Sequence, residues 1–489
     1  MAAKGIIKQL SAIEKEFAAI RREYEQWLLT GPVRPEHHLS AINLLQYLAL
    51  RKKNISKLQN ALHEQGLSSM ASSESHIHRQ LQEILMRLGQ RFSPSVRNTC
   101  SVSKAKALMI RNTGSLFGPN PKDGGIPIMV TLDSETHIDK HAIASLLKRG
   151  MQIARINCAH DNAETWGKMV ELVRKAEKET GVPCKIYMDL AGPKFRVKVC
   201  HHARDQGKVE VSVGERLILT EETEISNIKG KAIYCQIPGI SRMLSKGNIM
   251  MMDDGLIEAI VTNEVLYGSE ITITRISGKP FIKSGKGINF PNTPIPIGSL
   301  TKEDKHSLIF IKNHADLVGY SFVRTVDDLQ DLHAHLYDGS PEKLPGLIIK
   351  IETPEAVDNL PYLLLFAMRY PSFGVMIARG DLAVEIGFER MSEIQEEILW
   401  ICEAAHTPVI WATQVLEQLN KTGMAARSEI TDAYKAAQAE CIMINKGKYT
   451  HLVLDTLNDI AKRSHRHHLK KRYEMQALGI AKRFSFRKL

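Results

Sequence analysis

A chain of 489 residues with 43% hydrophobic content can bury more than one core, so roughly two to four domains are expected. No run of about 18 apolar residues occurs, and the N-terminus sets acids in an amphipathic pattern, so no membrane span and no secretory or transit leader is expected and a cytoplasmic location is the default. The seven cysteines form no CxxC pair, which argues against a disulfide framework or a zinc ribbon.

The net charge of +11 is concentrated at one end. Residues 461–489 carry ten Lys/Arg against the single acid Glu474, which leaves +2 for everything before them. Such a basic tail can bind polyanions weakly through counterion release, or can be a solvated segment that serves solubility.

At the N-terminus, Ile6, Leu10, Ile13, Phe17, Ile20, Tyr24 and Trp27 recur at alternating spacings of four and three, the seam of an amphipathic helix. Breaks at Gly31-Pro32 and around 66–75 separate two more helical patterns. One runs through Ile42, Leu45, Leu48, Ile55, Leu58 and Leu62, the other through Ile77, Leu81, Ile84 and Leu88. Residues 1–115 read as a helical domain that packs on itself, on the rest of the chain or on a second copy.

After Asn120-Pro121 the texture changes to short apolar runs alternating with helical patterns. IPIMVTL, QIARINC, CKIYMDL, ADLVGYSF, GLIIKIE, GVMIARG, PVIWATQ and CIMIN are eight candidate strands, the number a (β/α)8 TIM barrel needs, with catalytic groups expected where strands run out into loops. The barrel is assigned to 116–196 and 290–460. Between the third and fourth strands, 197–289 is rich in β patterns such as KVEVSV, RLILT, LIEAIVT and EITITRI. An all-β insertion at the catalytic end would act as a lid that excludes water. The basic tail, 461–489, completes the expected organisation.

Lys350 and Glu352 lie two apart in one strand and so face the same way, and the next strand ends in Arg379-Gly380-Asp381. Two carboxylates from adjacent strands suit an open Mg2+ or Mn2+ site, with the lysine placed to neutralise charge on a transferring group. Taken alone, these residues fit a structural ion pair equally well.

The ordered set of motifs resembles pyruvate kinase over about residues 126–460. Ala154-Arg155-Ile156-Asn157-Cys158-Ala159-His160, Asp189-Leu190-Ala191-Gly192-Pro193-Lys194-Phe195-Arg196, Asp253-Asp254-Gly255-Leu256, Tyr320-Ser321-Phe322-Val323-Arg324, Lys350-Ile351-Glu352, Ala378-Arg379-Gly380-Asp381-Leu382 and Ala412-Thr413-Gln414 follow in that family's order. The resemblance implies phosphoryl transfer between phosphoenolpyruvate and ADP or another nucleoside diphosphate, giving pyruvate and a triphosphate. It implies that Glu352 and Asp381 hold the divalent ion, and that Lys350 stabilises the phosphoryl group and the enolate. Thr413 would be linked to enolate protonation. Arg155, Ser321 and Gly380 would contribute to substrate binding with Asp381 and Thr413, and Arg196, His160 and Asp254 would contact the nucleotide.

Departures from the family pattern cluster at its monovalent-cation site. Asn157 and Asp189 are present, but a serine is replaced by Ala159, a threonine by Leu190 and a glutamate by Lys194. The Lys194 ammonium carries the charge of K+, so K+ independence is expected. Thr131-Leu132-Asp133-Ser134 lacks the family's adenine-flanking proline, and Ile444-Asn445-Lys446-Gly447-Lys448 is an altered late motif, which leaves the nucleotide preference open. No counterpart of the family's C-terminal effector domain is read in the last residues, so allostery by that route is expected to be absent. A homo-oligomer is expected, with a dimer the simplest symmetric form. Two other readings compete with the kinase: a different metal-dependent enolate-forming enzyme, and a non-catalytic regulatory protein acting through its basic tail.

Overall fold

Eight short strands that are apolar on both faces must be covered on both sides; closure into a barrel buries the inner face and the helices around it bury the outer one. In the computed structural model of the chain, Ile128–Thr131, Met151–Asn157, Lys185–Asp189, Leu317–Tyr320, Gly346–Ile351, Phe373–Ala378, Val409–Ala412 and Cys441–Ile444 form a closed barrel. The first strand pairs parallel with the eighth, Ile128 beside Ile442 and Val130 beside Ile444, which completes the ring. The structure describes residues 3–93, 99–119, 121, 125–132, 139–199, 207–221, 230–235, 237, 239–291, 293, 295, 297–336, 344–465 and 479–485. Asp133 and Ser134 of the altered nucleotide motif, and 466–478 and 486–489 of the basic segment, lie outside the described residues. Among the described residues no helix is long and apolar enough to cross a membrane.

Local signals place the barrel helices. Asn162 caps Ala163–Thr180 by accepting from the Thr165 amide, and Gly181 ends that helix at φ 69°. Thr353 caps Pro354–Ala367 by accepting from the Ala356 amide, with Pro354 in the first turn, so the chain turns away directly after Glu352.

The barrel floor is closed by an element without a clear apolar period. Helix Val102–Phe117, capped by Ser101, delivers Leu116 and Phe117 into the barrel interior beside Met129, Ile153, Ile348 and Met376. Gly346 and Gly374 make room: a Cβ there would lie 3.0 Å and 2.6 Å from the Leu116 methyls.

The N-terminal helices pack on each other and on the barrel. The first, Ala3–Thr30, buries Ile6, Leu10, Ile13, Phe17, Ile20, Tyr24 and also Leu28, with Trp27 partly buried. The pattern from Ile42 to Leu62 is two helices, His38–Arg51 and Ser56–Glu64, and not one. Between them the Asn54 carboxamide accepts from the Ser56 amide (3.0 Å) and hydroxyl (2.7 Å), a local bond that competes with helix continuation. Docking onto the barrel continues one apolar core and adds polar contacts: Asn43 donates to Ala404 O (2.8 Å), and His406 meets Ser40 Oγ (2.9 Å) and Ser75 O (2.8 Å). Within the basic segment, the short helix Gly479–Arg483 buries Ile480 and Ala481, and Phe484 packs on Tyr362 of Pro354–Ala367.

The insertion is a seven-stranded sheet running from Val197–Val199 to Ile288–Asn289, with a separate two-stranded ribbon and its own apolar core. It rests on the barrel through helix Arg379–Ile386 and the residues after it. Asn289 Nδ2 donates to Glu385 Oε1 at 2.8 Å, and a Cβ on Gly255 would lie 3.4 Å from the Phe388 ring. Burial pushes the Glu385 carboxyl up to about 7, against the Asn289 hydrogen bond, with Glu355 and Asp381 adding repulsion.

Two outcomes are expected. Leu116→Ala should cost about 2–5 kcal/mol in denaturant unfolding, because the floor cannot collapse into the space left; a loss under about 1 kcal/mol would contradict its plug role. For Glu385, a folded value raised above the ordinary 4.5 means that its contribution is full below pH 4.5 and is lost as pH rises through about 7. Glu385→Gln, neutral throughout, should therefore raise the melting temperature at alkaline pH and leave it unchanged in acid. An equal shift at both ends of the range would show that the carboxyl's charge is not the cause.

Candidate active site

Where the strands run out toward the lid they surround a cleft of about 450 Å³. Arg155, Asn157, His160, Asp189, Lys194, Arg196, Asp254, Ser321, Lys350, Glu352, Gly380, Asp381 and Thr413 all line it, so the structure brings together every site residue expected above.

Its deepest charged group is Asp189, 1% exposed at the end of the third strand. Its Oδ2 accepts from Arg155 Nε (3.0 Å) and Nη2 (2.6 Å), its Oδ1 accepts from the Tyr187 hydroxyl (3.0 Å), and Lys350 Nζ lies 3.2 Å from Oδ1. Burial alone would raise this carboxyl, but the Lys350 and Arg155 charges outweigh it and hold Asp189 below the usual carboxylate range. Gly319 is needed beside this network, since a Cβ there would fall 1.9 Å from the Tyr187 hydroxyl.

Lys350 is the hub. Besides Asp189, its ammonium lies 3.2 Å from Glu352 Oε1 and donates to Ser321 Oγ at 2.6 Å; Ser321 in turn donates to Leu190 O at 2.6 Å. Burial opposes its charge, yet Asp189 and Glu352 raise its pKa above the ordinary lysine value, so it stays an ammonium. Glu352 is raised by burial and by Asp381, with Lys350 acting in the opposite sense, and its Oε2 accepts from the Phe322 amide at 2.6 Å.

Asp381 lies in the first turn of helix Arg379–Ile386, directly after the sixth strand, and both its oxygens accept from Lys194 Nζ, at 2.9 and 3.0 Å. The Lys194 ammonium thus sits on Asp381, while Asn157 Oδ1 accepts from the Ala159 amide at 3.1 Å. Across the cleft, Thr413 Oγ1 is buried with no hydrogen-bond partner among the described residues, and a Cβ on Gly380 would lie 3.3 Å from it. Arg196 Nη1 donates to Gly285 O at 2.8 Å where chain enters and leaves the lid. His160 and Asp254 stand at the rim.

Several contributors had not been singled out from sequence. Tyr187 and the Phe322 amide support Asp189 and Glu352. Asp304, 1% exposed, accepts from the Ala191 amide at 3.0 Å while completing a capping box with Thr301, and the Thr-x-x-Asp spacing is a signal that could have found it. Lys286, in Gly285-Lys286-Gly287, lines the cleft and pairs with Asp253 at 2.7 Å.

Glu352 and Asp381, which both line the cleft, could hold a hard divalent cation. Among the described residues no group of three or more His, Cys, Asp or Glu side chains is arranged to hold a metal by itself, and an ion held by two carboxylates would take its other ligands from water and substrate oxygens, as Mg2+ and Mn2+ favour. The Thr413 hydroxyl, without a partner among the described residues, leaves a buried polar group facing the cleft.

A family model described as the pyruvate kinase barrel domain matches residues 125–451. The chain is 30% identical over 329 residues to the pyruvate kinase of Bacillus licheniformis, covering 66% of this chain and 54% of that protein. It is 29% identical over 333 residues to that of Hypocrea jecorina, covering 66% and 59%, and 30% identical over 346 residues to that of Naumovozyma castellii, covering 68% and 66%. The chain thus spans about half to two thirds of the length of these relatives. The matched stretch contains the closed barrel, the inserted sheet and every residue of the cleft described above, and on that ground the chain belongs to the pyruvate kinase family.

Proposed function

We propose that the chain transfers the phosphoryl group of phosphoenolpyruvate to a nucleoside diphosphate, ADP or another, giving pyruvate and the triphosphate. The observation that carries the proposal is the convergence of Lys350, Glu352, Asp381 and Thr413 from three successive strand ends on one cleft under a lid. The relatives named above are pyruvate kinases.

A divalent ion held by Glu352 and Asp381 would polarise the oxygens of the three-carbon acid. The bond from phosphorus to the enol oxygen breaks, a bond to a terminal phosphate oxygen of the diphosphate forms, and C3 of the enolate takes up a proton. Lys350, kept charged by Asp189 and Glu352, stabilises the negative charge on the transferring group and on the enolate oxygen. The Thr413 hydroxyl, unpartnered among the described residues, is available to orient the proton donor at C3. Arg155 acts mainly by fixing Asp189, since its Nε and Nη2 are spent there and Nη1 donates to Thr131 Oγ1 at 3.0 Å. Arg196, His160, Asp254 and Lys286 form the nucleotide side, and the lid keeps water from competing as acceptor.

The proposal includes activity without K+. Asp189 already faces two fixed cations, Arg155 and Lys350, and Lys194 adds a tethered ammonium to the same cleft. Weak polyanion binding by the basic segment and assembly as a dimer belong to the same reading; Arg463 and Arg483 are already paired, with Asp459 and Asp358.

The test is phosphoenolpyruvate-dependent pyruvate formation with Mg2+ and ADP or GDP, in K+ or tetramethylammonium. Turnover should require the metal, be indifferent to K+ and fall about 10²–10³-fold in Lys350→Met. A need for added K+ would contradict the role given to Lys194. Absence of pyruvate with every nucleotide, or a different product, would contradict the kinase.

A further inference from the structure

Arg379 is the first residue of helix Arg379–Ile386, two positions before Asp381, yet its side chain turns away from the cleft and crosses to the neighbouring strand. Nε donates to Ala412 O at 3.3 Å, Nη2 donates to Thr413 O, and the guanidinium lies over the Trp411 ring at 5.1 Å. Nη1 donates to Asp432 Oδ1 at 2.5 Å. Asp432 belongs to helix Arg427–Ala436 on the outside of the barrel and does not line the cleft.

One guanidinium therefore ties together three places: the turn that carries Asp381, the backbone of the residue that carries the Thr413 hydroxyl, and an outer helix. Its side chain is 11% exposed, so its charge needs a fixed counter-charge, and Asp432 supplies it. The planar fork can grip two successive carbonyls and a carboxylate at once, which a lysine cannot do. The Thr413 hydroxyl has no hydrogen bond of its own within the described protein, so its position rests on its backbone.

We infer that Asp432 and Arg379 are positioning residues for the proton-transfer half of the reaction: Asp432 orients Arg379, and Arg379 fixes the Thr413 backbone so that its hydroxyl is held against C3 of the three-carbon acid. The inference rests on the phosphoryl-transfer reading above. It separates protonation at C3 from the binding of substrate and metal at Lys350, Glu352 and Asp381, none of which Asp432 touches.

The experiment uses the full chain and compares Asp432→Asn, Asp432→Glu and Arg379→Lys. Protonation at C3 is followed in reverse, as exchange of pyruvate methyl protons for deuterium by NMR in the presence of Mg2+ and ATP, beside kcat, the KM for phosphoenolpyruvate and Mn2+ affinity by electron paramagnetic resonance. Misplacing a reacting group by about 1 Å can cost 10²-fold, so Asp432→Asn should slow methyl exchange and kcat by about tenfold or more. KM and Mn2+ affinity should stay within about twofold, and Asp432→Glu should recover much of the exchange. Should Asp432→Asn fail to fold, Arg379→Lys is read by the same criteria. Exchange at the native rate in a folded variant, or a loss of Mn2+ affinity and substrate binding in step with kcat, would overturn the positioning role. A native chain that exchanges no methyl protons would remove the phosphoryl-transfer reading and this inference with it; normal exchange in the native chain and in both carboxylate variants would remove the inference alone.

Discussion

The buried carboxylate of Asp189 is the constraint around which the site is arranged. A carboxylate at the end of a barrel strand is stable only if it is paired and hydrogen-bonded, and Arg155, Tyr187 and Lys350 each supply a contact of 3.2 Å or less. Satisfying Asp189 fixes the Arg155 and Lys350 side chains, Lys350 in turn fixes Ser321 and faces Glu352, and Gly319 exists as glycine because the Tyr187 hydroxyl occupies the space of its side chain. A demand of folding thus sets the geometry of the groups that would do chemistry.

The charges of the cleft are closely matched. Arg155, Lys350 and Lys194 stand against Asp189, Glu352 and Asp381, each cation within 3.2 Å of a carboxylate. This balance lets so many ionised groups lie together at low exposure. It also implies rearrangement when a divalent ion arrives, because both oxygens of Asp381 are engaged by Lys194. Lys194 is 31% exposed on a lysine stem and is the freest of the three cations to move, whereas Lys350 is held on three sides.

The barrel was legible because its strands are short, apolar on both faces and separated by helical patterns, and Lys350, Glu352 and Asp381 stood out at strand ends, where loops begin, whereas Thr413 was marked only by the family resemblance. The inserted sheet was legible from alternating runs such as Glu270 to Ile276. Elements governed by local competition or by distant partners were not. The break at 52–55 is accompanied by two local hydrogen bonds from Ser56 to Asn54, and the plug formed by Leu116 and Phe117 belongs to a helix whose apolar residues show no clean period. Pairing across the fold was equally hidden: Lys194 is 187 positions from Asp381, and Arg379 is 53 from Asp432.

We propose that Glu352 and Asp381 would hold one divalent ion in the barrel mouth, with Lys194 yielding its place on Asp381. The most direct measurement is anomalous diffraction at the manganese edge from crystals of the chain grown with Mn2+ and pyruvate. A single peak is expected between the two carboxylates, with the Lys194 ammonium withdrawn from Asp381. A peak elsewhere in the cleft, or none with Lys194 still bound to Asp381, would contradict it.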